Sequence, residues 1–328
     1  MAQLFNFGSL NVDWVYRVPH VVRPGETLAS ASCDRFAGGK GANQSVAASR
    51  AGQRVEHVGA VGPDGRWLVE LLAEVGVGVE AIAAFRDTPT GHAVIQVTDA
   101  GENAICIFPG ANHLVGRDAI DAALSTATPD DWVLTQNETA NAVDVLASAR
   151  ASGLRVALNP APMTDDIVGL DFCGVALLIV NETEASAMSE ERDRDPLDLA
   201  ASLVDRGAGL AVVTLGGGGV VACDGSQRWR IAGHRVERVA DTTAAGDTFV
   251  GFMVSALMQG LDVEAALNRA NTAAAICVSR RGAIASIPML SEVVASLSDA
   301  GARSFAESMG KRKGSAPQPL ASLHRGWG

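Results

Sequence analysis

Short apolar runs recur along the chain, separated by Ala-rich amphipathic stretches. "LFNFG", "VEHVGAVG", "DWVLTQ", "RVALNP", "VALLIV" and "LAVVTLG" have the length and β-branched content of buried strands, and several precede apolar residues at helical spacing. Continuous apolar runs suit strands buried on both faces, so the pattern predicts an α/β fold whose mostly parallel sheet carries helices on both sides. Two segments alternate instead. "WVYRVPHVVRPGETLASASCDRFAGG" and "GHAVIQVTDAGENAICIFPGANHL" predict β-ribbons, the second turning at "DAGEN", and together a small sheet standing over the active edge. No internal repeat is visible. Residues 308–328, rich in Gly, Pro, Ser and basic side chains, are expected to form a flexible tail.

Composition narrows the function classes. With 48% hydrophobic residues in 328, the chain can bury a large core, as one big α/β domain or two smaller ones. A formal net charge of -11 and the lack of a long basic stripe before the tail argue against nucleic acid and anionic membranes, and for a small-molecule partner. Cys33, Cys106, Cys173, Cys223 and Cys277 are scattered, odd in number and without a CxxC pair, which suggests neither a zinc site nor a disulfide framework and fits a reducing cytoplasm. "MAQLFNFGSL" has no basic n-region, and no apolar run reaches membrane-span length, so an unexported protein is expected.

Chemistry concentrates at a few glycine-rich and acidic stretches. In "DTTAAGDTFVGFMVSAL", small residues precede apolar ones at helical spacing, which puts Thr242–Gly246 at a helix N-terminus, where free N–H groups attract anions. Asp247 is then either a first-turn carboxylate that partners the helix dipole or caps the helix, or a general base beside a reacting anion. "FAGGKGANQ" is a strand-to-helix turn or a ligand cradle, and is not a Walker A loop, because Gly41 follows Lys40. The glycines in "TLGGGGVV" make a hairpin turn or lie along a nucleotide. "IVNETEA" is a helix start with first-turn acids, or holds magnesium through water. Ser9, Asn11 and Asp13 in "GSLNVD" form an Asx turn, or reach sugar hydroxyls beyond a strand end, and Glu138 after "LTQN" is open in the same way.

In order along residues 4 to 290, "GSLNVD", "PGET", "FAGGKGANQ", "PTG", "GENAI", "PGAN", "ALNPAP", "NETEA", "VVTLGGGGV", "DTTAAGDTF" and "SRRGAIASIP" resemble the PfkB family of carbohydrate kinases. Ala-Ala-Gly-Asp, where the wider family often has Gly-Ala-Gly-Asp, and "GGKGANQ" resemble its ribokinase branch. The resemblance implies a ribokinase-like three-layer sandwich over 1–307 with a small β-sheet lid from about 12–37 and 91–112. It implies an ATP-dependent kinase for the primary hydroxyl of a pentose, D-ribose above all, with another sugar, a nucleoside, or a non-catalytic sugar-binding regulator as alternatives. By resemblance Asn11, Asp13, Gly39, Lys40, Asn43 and Glu138 line the sugar site, Asp247 is the base, and Ala244, Ala245 and Gly246 form the anion hole. Asn181, Thr214, Gly216, Gly219, Gly246 and Asn271 contact ATP, with Mg2+ near Glu184. A K+ site would use Asp241, Thr243, Arg280, Gly282 and Ser286, with Cys277 contributing through its backbone. Asn271 stands where some members carry a histidine near adenine. A homodimer through the lid is also implied.

Overall fold

The computed structural model describes residues 2–298, apart from 141 and 190–193; the expected tail and the stretch before it from 299 lie outside the described residues. In chain order the strands are β1 (Gln3–Phe7), β2 (Asn11–Arg17), β3 (Ser32–Gly38), β4 (Arg54–Val61), β5 (Ile82–Ala84), β6 (Gly91–Val97), β7 (Asn103–Phe108), β8 (Trp132–Gln136), β9 (Arg155–Asn159), β10 (Val175–Asn181), β11 (Ala211–Thr214), β12 (Gly219–Cys223) and β13 (Arg228–Ala232). Nine of them form one sheet in the order β13-β12-β11-β10-β9-β8-β1-β4-β5. Pairing is parallel from β5 to β11 and antiparallel at β11–β12 and β12–β13. The six continuous apolar runs are all strands of this sheet, as expected.

The helices include α1 (Lys40–Arg50), α2 (Arg66–Glu74), α3 (Arg117–Leu124), α4 (Ala142–Ala151), α5 (Asp165–Val168), α6 (Glu182–Met188), α7 (Pro196–Asp205), α8 (Ala245–Met258) and α9 (Val263–Val278). Alternation along each strand sorts the core into two layers. Leu4, Leu134, Ala157, Leu177 and Ile179 pack under α1, α2, α8 and α9. Phe5, Phe7, Val133, Val156, Leu178 and Val180 pack under the helices from α3 to α7. The result is a three-layer sandwich, and the strand ends that collect polar residues lie along one edge.

The two alternating segments form the second sheet, ordered β3-β2-β6-β7. Its register sets Asp13 opposite Phe36 and Ala93, with Ala93 opposite Ile107, so these side chains share one face. "DAGEN" closes the β6–β7 hairpin, with Gly101 N–H donating to Thr98 O and Thr98 N–H to Glu102 O. The strands end at Phe108; Gly110–Leu114 is a 3-10 turn. Among the described residues no helix is long and apolar enough to cross a membrane.

Candidate active site

The β1–β2 connection and the start of α1 touch so closely that side chains are excluded between them. A Cβ on Gly41 would lie 2.3 Å from Ser9 N, and one on Gly38 would overlap the Asp13 carboxylate at 2.0 Å. Glycine at both positions therefore lets "GSLNVD" and "GGKGAN" form one pocket wall. Glu138, at the end of β8, joins them: its Oε2 accepts from Ser9 Oγ and, at 2.9 Å, from Lys40 N–H, while Lys40 Nζ stands 3.9 Å from its Oε1. Asn11 Oδ1 accepts from Asn112 Nδ2 at 2.8 Å.

Asp247 lies on the opposite wall, in the first turn of α8. It does not cap that helix. The N-cap is Ala244, without a side-chain cap bond, and the two Asp247 oxygens are taken by amides from α1: Asn43 Nδ2 on Oδ2 at 2.9 Å and Gln44 Nε2 on Oδ1 at 3.0 Å. The capping alternative is thereby removed. Asn43 is buried, and its own Oδ1 has no partner. Ala244 has φ 60°, the one positive φ outside glycine among the described residues, a conformation costing roughly 1–3 kcal/mol and typical of functional loops. Among the described residues the N–H groups of Ala244, Gly246 and Asp247 have no partner, while Ala245 N–H turns to Thr242 O at 3.3 Å.

The pocket is crowded with carboxylates. Burial, reinforced by the charges of Glu138 and Asp247, pushes Asp13 up to about 7 against the opposing pull of Lys40. Burial also disfavours the Lys40 ammonium, but Asp247, Glu138, Glu184 and Asp13 outweigh it and hold Lys40 above its usual range. Lys40 thus feels the acids of both this pocket wall and the α6 start.

Asn181 and Thr214 are paired neighbours at the ends of β10 and β11, followed by the Gly216–Gly218 turn and by Gly219 at φ 97°. The hairpin reading of the glycine run is present, since it links β11 to antiparallel β12, and it leaves bare backbone at the sheet edge. Asn181 and Glu184 form a reciprocal capping box, with Glu184 N–H on Asn181 Oδ1 at 2.8 Å and Asn181 N–H on Glu184 Oε2 at 2.9 Å. The helix-start reading of "IVNETEA" is therefore present, with Glu184 Oε1 left over. Asn271 donates to Ala232 O at 2.9 Å, which seats α9 against β13.

Asp241, Thr243, Gly282, Ser286 and Cys277 come together beside the start of α8. Asp241 Oδ1 accepts from Thr243 N–H and Oγ1, its Oδ2 accepts from Gly282 N–H at 3.1 Å, and Cys277 Sγ lies 3.0 Å from Ser286 Oγ. These bonds hold Asp241 below its usual range even though burial works the other way. The Arg280 side chain turns aside to Glu292 at 2.5 Å, leaving only its backbone for this cluster. Gln44, Asn112, Gln136 and Asn159 were not singled out from sequence. All lie inside quoted motifs, but a buried amide, whether in α1, in the 3-10 turn or at a strand end, carries no spacing signature.

Comparison with known proteins agrees with this layout. The family model described as pfkB family carbohydrate kinase matches residues 1–290. A ribokinase of Haemophilus influenzae is 35% identical over 297 residues, covering 88% of this chain and 95% of that protein. The crystal structure of a ribokinase from Thermotoga maritima superposes with TM-score 0.81 at 32% identity, covering 91% of this chain and 99% of that one. The structure of an Arabidopsis thaliana ribokinase complexed with ribose and ATP gives TM-score 0.77 at 28% identity, with 90% of this chain and 98% of that one covered. A motif series in order, one sandwich with its small second sheet, and relatives matched over nearly their whole length lead to one conclusion: the chain belongs to the PfkB family of carbohydrate kinases.

Proposed function

We propose that the chain transfers the γ-phosphoryl group of ATP to the primary hydroxyl of D-ribose, giving D-ribose 5-phosphate. The observation that carries this reading is Asp247, a carboxylate fixed by two amides beside unpartnered N–H groups at the α8 N-terminus. Phosphoryl transfer asks mainly for positioning and charge stabilisation. Asp247 accepts the proton of the attacking hydroxyl, and the N–H groups of the Ala244–Gly246 turn stabilise the transferring charge. Asn43 Oδ1, buried without a partner, accepts from a sugar hydroxyl, and Asp13, Asn11, Gly39, Lys40 and Glu138 complete the sugar wall. Asn181, Thr214, Gly216, Gly219, Gly246 and Asn271 hold the nucleotide.

Among the described residues no three His, Cys, Asp or Glu side chains gather as a metal cage. Magnesium keeps several of its waters and takes few protein oxygens, so Glu184, with one carboxylate oxygen outside its capping box, would hold it through water, and the ion would neutralise phosphate charge. The oxygens of Asp241, Thr243 and Ser286, gathered with Gly282 and Cys277 beside the start of α8, suit potassium, which would order the loop preceding the anion hole. Turnover is then expected to rise with potassium; equal rates in potassium and a bulky organic cation at matched ionic strength would remove this assignment.

The lid closes over the sugar and excludes water. Its Asp13 face carries Phe36, Ile105 and Ile107, which are 45%, 54% and 50% exposed. An apolar sheet face of this kind suits pairing with a second copy, so a homodimer through the lid belongs to the proposal, as do a cytoplasmic setting and a kinase domain over 1–307. Measuring ADP release over a panel of pentoses, hexoses and nucleosides tests the substrate: ribose should give the highest kcat/KM, and a hexose or nucleoside in first place would replace it.

A further inference from the structure

We propose that Gln44 is the positioning residue of Asp247, held in a single orientation by a buried chain of polar side chains that runs beneath α1 to His57; this rests on Asp247 being the base. The chain lies on an otherwise apolar face of the sheet. Asn6, Gln136 and Asn159 project from β1, β8 and β9 toward α1, all of them buried, as are Gln44, Ser45 and His57. Polar groups this deep are costly unless paired, and of the side-chain polar atoms of these six residues only Gln136 Oε1 has no partner, so the pairing pattern fixes the others.

The donors can be followed from end to end. Asn159 Nδ2 donates to Ile179 O at 2.9 Å, which turns Asn159 Oδ1 toward Gln44. Gln44 Nε2 donates to that oxygen at 2.9 Å and to Asp247 Oδ1 at 3.0 Å, which uses both of its hydrogens. Gln44 Oε1 accepts from Gln136 Nε2 at 2.8 Å, and the other hydrogen of Gln136 goes to Asn6 Oδ1 at 2.8 Å. Asn6 Nδ2 in turn donates to Gly41 O at 2.8 Å and Ser45 Oγ at 2.7 Å. Ser45 is left to donate to His57 Nδ1 at 2.8 Å, and His57 Nε2–H to Gly8 O at 3.2 Å. Burial pushes His57 down to about 4, so the ring stays neutral and this tautomer closes the chain.

Backbone carbonyls anchor the network at both ends, so no amide can turn over without setting oxygen against oxygen. Gln44 can consequently only donate to Asp247. An N–H that can only donate suits Oδ1 as a proton acceptor and fixes the rotation of the carboxylate. Asp247 stands among charged and titratable groups from several elements: Asp13 from β2, which its charge pushes up as does that of Glu138 after β8, Lys40 from α1, which it holds charged, and Cys277 from α9, which it pushes up together with Asp241 before α8.

Gln44→Met keeps the length and removes the N–H groups. Outer-shell partners that orient metal ligands are worth about 10- to 100-fold; on the same scale for Asp247, kcat should fall by about that factor with ribose KM within threefold, and the acidic limb of the kcat–pH profile should move to higher pH. Gln44→Glu keeps the acceptor for Gln136 but turns a carboxylate on Asp247, and should lose at least as much. Gln136→Met touches neither Asp247 nor substrate, yet should reproduce the limb shift in weaker form. A purely structural role would lower thermal stability in these variants and leave the limb in place. Folded Gln44→Met or Gln44→Glu with kcat within twofold of the parent, or a loss without a limb shift in both Gln44 and Gln136 variants, overturns the proposal. Asp247→Asn measured alongside separates the two readings: if it stays active, the base assignment fails; if it is inactive while the Gln44 variants are not, only the positioning role fails.

Discussion

Asp247→Asn is expected to yield a folded, ribose-binding and almost inactive enzyme, with kcat reduced by about 10² to 10⁴, the range of general-base catalysis. Shape is conserved by the change, and what disappears is the proton acceptor. Because both neighbours of Asp247, Asn43 Nδ2 and Gln44 Nε2, are donors, the new amide must present its own NH2 to one of them. The stability cost of that mismatch is about 1 to 3 kcal/mol, while ribose affinity, set mainly by the opposite wall, should change little. A residue acting only on the helix dipole would contribute about 0.3 to 1 kcal/mol and leave turnover intact. Rate and melting temperature therefore separate the two accounts. Steady-state kcat, ribose affinity by calorimetry and a thermal melt on this one variant suffice, and near-parental turnover in the folded protein would refute base catalysis.

The parts of the molecule that follow from local pattern were legible in the sequence. The six apolar runs became β1, β4, β8, β9, β10 and β11 because continuous apolar strands fit only a sheet covered on both faces. The two alternating segments became the lid sheet for the complementary reason. The edge hairpin β12–β13 was less visible: "GVVAC" reads as buried, but "RWRIA" alternates over too few residues to declare itself a strand. At the site, motif order brought out Asn43 and Asp247, whose contact spans more than two hundred residues of chain. Nothing in the sequence indicates that Gln44, rather than any other polar residue of α1, turns inward, because that depends on Gln136 and Asn159 from strands far away in the chain. The conformation of Ala244 is likewise set by its surroundings, since alanine by itself avoids positive φ.

Asp13→Asn should make the protein more stable and the enzyme worse. Asp13 is raised to about 7 in the fold, chiefly by burial and then by Glu138 and Asp247, so the folded state binds its proton more tightly than the unfolded chain does. Its contribution to stability is thus complete below the unfolded value near 3.8, declines as pH rises toward about 7, and above that remains as a fixed cost. Three units correspond to about 4 kcal/mol; water at the pocket mouth screens part of this, and a gain of about 1 to 2 kcal/mol at pH 8 is expected for the neutral asparagine. At pH 4 the gain should vanish. For the sugar the sign reverses, because an ionised Asp13 is the stronger acceptor for a hydroxyl. Losing a charged partner costs about 1.5 to 3 kcal/mol, so kcat/KM for ribose should fall by about 10- to 150-fold at pH 8. Melting curves at pH 4 and pH 8 with ribose kinetics at pH 8 test both halves. A stability difference that does not depend on pH would contradict the burial argument, and kcat/KM within twofold of the parent would take Asp13 out of the sugar site. The expected opposition, higher Tm with poorer turnover, would identify Asp13 as a buried charge kept for substrate at the expense of the fold.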